Sequence, residues 1–174
     1  MNISLVPFSE EHCQMVYSWR NSEKVRAASF DNNIIPYDVH KKWFNEQITG
    51  QGRLNYIFIF DEVPCGVVYF DLKLSKGEKS AYWGFYKDPS NNLNFLGLLM
   101  EKTSIEYAFE SLGVARIYCD VLAENKRVLK LHEMFGFEII GLQKTSTPCK
   151  SFVSLQLKKE SWNKEVGFLM ESGL

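Results

Sequence analysis

YAFESLGVARIYCDVLAEN at residues 107–125, followed by HEMFGF at 132–137, decides the fold of this chain. The first letters close a helix expected over 98–112, whose apolar stripe is Leu98, Ile105, Ala108, Phe109 and Leu112. Gly113 stands where such a helix needs a left-handed C-cap. Residues 116–122 read as a short strand, and 124–135 as a helix with Val128, Leu131, His132 and Phe135 at i, i+3, i+4 and i+7. Two further strands are expected at 138–142 and 152–157.

Outward from this block, 3–8 reads as a strand and Ser9 as the N-cap of a helix with His12, Met15, Val16 and Trp19 on one face. A short helix is expected over 22–29. Pro36 and Asp38 announce a third, with His40, Trp43, Phe44 and Ile48 on one stripe, stopped by Gly50 and Gly52. The period then changes. Residues 55–60, 66–74 and 81–86 read as an antiparallel meander with turns at 61–64 and 76–78. An Asn-rich loop after Asp88-Pro89 leads back to the long helix, and from Trp162 onward no pattern is visible. The expectation is α/β architecture in one domain, 1–160, with a C-terminal tail at 161–174.

Composition narrows the function. The 174 residues are 45% hydrophobic and 24% charged, with a net charge of −1, as in an ordinary globular domain. Acidic and basic residues are evenly spread, so no basic footprint for nucleic acid exists. The longest apolar run, 56–60, is far short of a membrane span. The start, MNISLVPFSEEHC, lacks the order of a secretory signal. Cysteines at 13, 65, 119 and 149 form no CxxC pair and have no histidine at ligand spacing, so no metal site is expected. They read as small buried hydrophobes in a reducing compartment, and the expected location is cytoplasmic. Phosphate-loop, dinucleotide, zinc-protease and nucleophile-elbow motifs are all absent.

Residues 107–125 with 132–137 resemble the core of the GNAT superfamily of acyl-CoA N-acyltransferases. The resemblance extends through Trp19-Arg20-Asn21, Phe30, 39–44, 66–68 and 83–86 to one branch, the aminosugar N-acetyltransferases of the pseudaminic acid pathway. It implies the GNAT fold, a mixed central sheet of about seven strands with helices on both faces. It also implies an acetyl-CoA-dependent enzyme acting on a nucleotide-linked aminosugar, the 4-amino group of a UDP-dideoxy-altrosamine that goes on to decorate flagellin. Acetyl-CoA is then the co-substrate, no metal, nucleic acid or membrane takes part, and a homodimer is open. Two rivals share the core: a protein N-terminal acetyltransferase resembling the ribosomal-protein enzymes, and a non-catalytic binding module.

The resemblance also assigns residues. The superfamily's Q/R-x-x-G-x-G/A loop falls on residues 92–97, where only Gly97 is kept, so Asn92, Phe95, Leu96, Gly97 and Leu98 would meet the pyrophosphate at a helix N-terminus. Phe85 and Tyr86 would offer backbone N–H groups on a strand that splays from 116–122. Asn125 would bond the pantetheine. His132 would protonate the departing thiolate and Asp120 would take the amine proton through water; by periodicity alone His132 reads as a core histidine. Arg20, Asn21, Phe30 and His40 would hold the sugar nucleotide, Arg20 because a guanidinium matches phosphate. An aminosugar nitrogen titrating near an α-amino group, ~7.7–8.0, is already partly neutral at pH 7, so the base has little to do. Cys119 has no adjacent histidine to activate it, which favours direct attack over a covalent enzyme.

Overall fold

The computed structural model describes residues 2–50, 52–144 and 150–167. Its strands are β1 Ile3–Pro7, β2 Arg53–Phe60, β3 Val63–Ser75, β4 Glu78–Lys87, β5 Arg116–Leu122, β6 Glu138–Lys144 and β7 Ser151–Lys158. Its helices are α1 Cys13–Asn21, α2 Glu23–Ala27, α3 Tyr37–Ile48, α4 Leu96–Glu106 and α5 Lys126–Phe135. The strands form one sheet of seven in the order β1-β2-β3-β4-β5-β7-β6. It is mixed: β4 and β5 run parallel, whereas β1–β2, β2–β3, β5–β7 and β7–β6 are antiparallel. The chain packs as two compact units, Met1–Leu72 with Gly84–Asn94 and Lys73–Trp83 with Phe95–Leu174.

In the first unit the core gathers Phe8, Cys13, Val16, Trp19, Phe44, Ile57 and Val67. Phe8 stacks on Phe44 with ring centroids 4.7 Å apart. The expected helix after Ser9 opens as a 3-10 turn, Glu10–His12, in which His12 Nδ1 accepts the Ser9 N–H at 3.0 Å. The turn expected over 61–64 is tighter than that. Asp61 and Glu62 alone make it, both at positive φ (46° and 68°), the backbone that suits a two-residue hairpin. Pro64 thus falls inside β3, paired with Ile59 beside the register shift at Phe58/Ile59, an irregularity of the kind where a strand tolerates proline.

In the second unit the helix expected over 98–112 is not uniform. α4 ends at Glu106, and Tyr107–Ser111 forms a π-helical turn in which Leu112 N–H reaches Tyr107 O at 3.0 Å. Gly113 (φ 66°) ends it as expected. Lys79 Nζ donates to Leu112 O at 2.8 Å and Lys159 Nζ to Phe109 O at 3.1 Å, so two cations cover the negative helix end. α5 carries Asn125 as N-cap and Gly136 at φ 97° beyond its C-terminus. Residues 161–167, read as patternless tail, are packed: the Trp162 ring lies 5.5 Å from that of Phe109, Asn163 N–H donates to Phe135 O, and Val166 is buried. Residues 168–174 and Cys149 lie outside the described residues. Cys13, Cys65 and Cys119 are buried free thiols.

Candidate active site

α4 and α5 belong to the second unit, and each puts one ionisable side chain into its core. Glu101 sits on α4 and His132 on α5, with Nδ1 to Oε1 at 2.6 Å and side-chain exposures of 0% and 4%. The His132 ring lies 5.5 Å from Trp83 and 4.9 Å from Phe137, centroid to centroid, so aromatic faces wall the pair. Burial pushes the Glu101 carboxyl above the usual carboxylate range, and the bond and charge of His132 pull it back. Oε2 of Glu101 has no hydrogen-bond partner among the described residues.

Asp120 occupies the other face of β5. Along this strand Ile117, Cys119 and Val121 are buried while Arg116, Tyr118 and Asp120 are half-buried, the alternation that a strand imposes. Asp120 Oδ2 accepts the Tyr82 hydroxyl at 3.2 Å, and Tyr82 lies opposite Tyr118 in the β4–β5 ladder. Cys119, on the buried face, has its thiol pushed well up by burial and by the charges of Glu101 and Asp120. It is therefore a neutral thiol and no nucleophile. The two residues expected to handle protons, His132 and Asp120, thus lie on opposite faces of one strand.

The parallel ladder between β4 and β5 has three pairs, Ser80↔Arg116, Ala81↔Ile117 and Tyr82↔Tyr118, and stops there. The loop after β4 is built from Asx turns: Asp88 accepts the Ser90 N–H and Asn91 Oδ1 accepts the Leu93 N–H. Of the expected pyrophosphate residues, Asn92 is exposed, Phe95 is the N-cap position of α4, and Leu96 is wholly buried. No side chain caps this helix start, and a Cβ placed on Gly97 meets nothing within 4 Å. The first-turn N–H groups of Gly97 and Leu98 precede the first intrahelical bond, Leu99 N–H to Phe95 O. Asn125 caps α5, its Oδ1 accepting the Val128 N–H at 3.3 Å, which leaves its Nδ2 for another partner.

Expected substrate residues lie in the first unit, and the structure sorts them. Arg20 is half-buried: Nη2 donates to Asp31 O at 3.1 Å, while Nη1 is buried without a partner among the described residues. Phe30 is 48% exposed. Asn21 is different. Its Nδ2 donates to Ile35 O and its Oδ1 accepts the Ile35 N–H, at 3.0 and 2.8 Å, so both polar ends staple the chain before α3. His40 is 2% exposed, its Nε2 lies 3.1 Å from Cys13 O, and Tyr17, Trp43 and Phe44 surround its ring. Burial lowers its pKa, with the Arg20 charge adding to the effect against the Cys13 carbonyl. It is a core histidine. Phe85 and Tyr86 are half-buried on β4, and burial raises the Tyr86 hydroxyl.

Sequence reasoning missed Glu101 and Tyr82. The signal for Glu101 was present: it falls three residues after Leu98 and four before Ile105, within the apolar stripe of its helix. Among the described residues no three His, Cys, Asp or Glu side chains cluster as a metal site requires, and no helix is long and apolar enough to cross a membrane.

The chain matches the Acetyltransferase (GNAT) domain family over residues 2–138. It is 26% identical over 140 residues to acetyltransferase PseH of Campylobacter jejuni, covering 79% of this chain and 85% of that protein. Among solved structures it is similar to the spermidine N-acetyltransferase of Vibrio cholerae in complex with CoA and spermine, with a TM-score of 0.81 at 15% identity over 91% of this chain and 96% of that one. It is also similar to the aminoglycoside acetyltransferase AAC(6')-Ib in complex with coenzyme A, with a TM-score of 0.74 at 16% identity over 92% and 96%.

Proposed function

This chain belongs to the GNAT acetyltransferase family and is an N-acetyltransferase, and on that premise we propose that it acetylates the 4-amino group of a UDP-linked dideoxy-altrosamine, using acetyl-CoA. On this reading it serves pseudaminic acid synthesis for flagellin glycosylation, in the cytoplasm. The observation that carries the substrate is the similarity to the Campylobacter jejuni acetyltransferase, which spans more of the chain than the 107–137 core alone could supply. The resemblance at Trp19-Arg20-Asn21, Phe30 and 83–86 supports the same branch, and the unpaired buried Nη1 of Arg20 is a group that a diphosphate would satisfy.

The residues fit the co-substrate. The uncapped start of α4, with open space around Gly97, offers N–H groups to a pyrophosphate. Asn125 Nδ2 can donate to an amide carbonyl of the pantetheine arm; for Phe85 and Tyr86 the family resemblance alone supports a backbone N–H role. Asp120 takes the amine proton through a water, with Tyr82 holding its carboxylate. His132 gives a proton from Nε2 to the departing sulfur, which needs one as the C–S bond breaks. Asn21 and His40 are not assigned to the substrate, since the Ile35 backbone takes both polar ends of Asn21 and His40 Nε2 lies against Cys13 O.

The test is direct. Acetyl-CoA is offered with the UDP-linked 4-amino sugar or with a peptide bearing a free N-terminus, and transfer is read by mass. Acetylation of the sugar is expected. Acetylation of the peptide alone would move the chain to the protein N-terminal class. No thermal stabilisation by millimolar acetyl-CoA would leave only a binding module.

A further inference from the structure

We propose that Glu101 is a positioning residue for the transfer step: its buried carboxylate, 2.6 Å from His132 Nδ1, keeps the proton on Nε2 that the leaving thiolate takes. The inference rests on the acid role of His132 given above. Its ground is the enclosure of the pair. The Glu101 side chain is fully buried while that of His132 keeps 4% exposure, both are held on helices, and His132 is the ion-pair partner of Glu101 among the described residues. A carboxylate buried without a counter-charge is costly, and Oε2 has no hydrogen bond to soften the cost. The pair therefore favours the state of zero net charge. In that state one proton is shared between Nδ1 and Oε1, and a second sits on Nε2. Either placement of the shared proton leaves Nε2 protonated.

The step balances. The amine lone pair attacks the thioester carbonyl, the C–N bond forms, and the C–S bond breaks with its electron pair leaving on sulfur. Sulfur takes the Nε2 proton, and the pair is left as Nδ1–H against a carboxylate, with one net negative charge. The surplus proton on the amide nitrogen passes to water through Asp120, and the pair regains its proton from water. Transfer leaves a buried negative charge, so reprotonation is favourable and resets the site.

The groups around the pair are consistent with this. From β5 the titratable neighbour is Cys119, kept as a neutral thiol. Asp120 lies on the far face of β5, bonded to Tyr82 of β4. β4 and the turn after α5 present the rings of Trp83 and Phe137 to His132. On α4, Ser104 is buried but spends its hydroxyl on Met100 O at 2.6 Å. Burial of Glu101 raises its carboxyl and strengthens the hold of the pair on its proton.

The experiment compares pH profiles of kcat for the full chain, Glu101→Gln and His132→Ala, with acetyl-CoA and the UDP-linked 4-amino sugar. Glu101→Gln keeps the shape and removes the charge. Its alkaline limb should move down, because the charge that helps hold the proton on the pair is gone. At pH 8 its kcat should fall about tenfold or more with KM for acetyl-CoA unchanged. A limb that stays in place while His132→Ala still loses activity overturns the role of Glu101 alone. Unchanged kcat in His132→Ala overturns both the acid role and this inference. Nitrogen NMR of the histidine rings in the unaltered protein, with and without acetyl-CoA, needs neither an amine substrate nor a folded variant. Nε2 of His132 should carry the ring proton in both states, and a ring found in the Nδ1–H tautomer with Nε2 bare would refute the proposal.

Discussion

Gly97 separates the acetyl-CoA reading from a purely structural one, because its substitution should move stability and binding in opposite directions. Gly97 is the second residue of α4, and an added Cβ meets nothing within 4 Å. Its backbone is helical, so alanine fits without strain and removes freedom from the unfolded chain. Glycine within a helix costs roughly 0.5–1 kcal/mol relative to alanine, so Gly97→Ala should raise the ligand-free Tm. For a chain of this length 1 kcal/mol moves Tm by roughly 2–4 °C, which places the rise at about 1–4 °C. A pyrophosphate resting on this first turn would instead meet the new methyl group. Acetyl-CoA at a hundredfold excess over its Kd stabilises the native state by ~2.7 kcal/mol. A tenfold loss of affinity removes ~1.4 kcal/mol of that, about half the ligand-induced Tm shift. Differential scanning fluorimetry with and without acetyl-CoA, checked by calorimetric titration, reads both quantities. If the variant keeps the full acetyl-CoA shift, the phosphates do not approach Gly97 and the placement on α4 is wrong.

Gly136→Ala should destabilise strongly, since Gly136 sits at φ 97° and a Cβ there would strike the backbone carbonyl oxygen of Ser161. A left-handed non-glycine residue costs roughly 1–2 kcal/mol, and the clash adds ~1–3 kcal/mol; a urea midpoint unchanged from wild type would contradict this. Arg20→Ala should raise KM for the sugar nucleotide while leaving acetyl-CoA affinity intact, and an unaltered sugar KM in steady-state assays would place the nucleotide elsewhere. His40 is held neutral by burial with a lowered pKa, so its share of stability is present above ~6.5, the unfolded value, and is lost as pH falls through the folded pKa. His40→Phe should therefore narrow the gap between unfolding free energies measured at pH 7.5 and pH 5, and an equal gap in both proteins would count against the assignment.

Local patterns carried most of the architecture. Periods of 3.6 and 2 placed the helices and strands, Gly113 and Asn125 marked helix ends by their own backbone and side-chain chemistry, and residues 107–137 declared the family. These features depend on neighbours within a few positions, so a linear reading reaches them. Pairwise placement across the chain does not. Asn21 and His40 look like ligand residues by type, yet the Ile35 backbone and the Cys13 carbonyl take up their polar atoms. The π-turn at Tyr107–Ser111 interrupts a stripe that reads as one helix, because a single extra residue in a turn changes no apolar spacing by enough to show. The sequence by itself determined that His132 lies on the apolar face of its helix. Only the tertiary structure decided what that face meets: Glu101, 31 positions earlier on another helix, whose charge makes sense at a buried position only once the histidine is beside it.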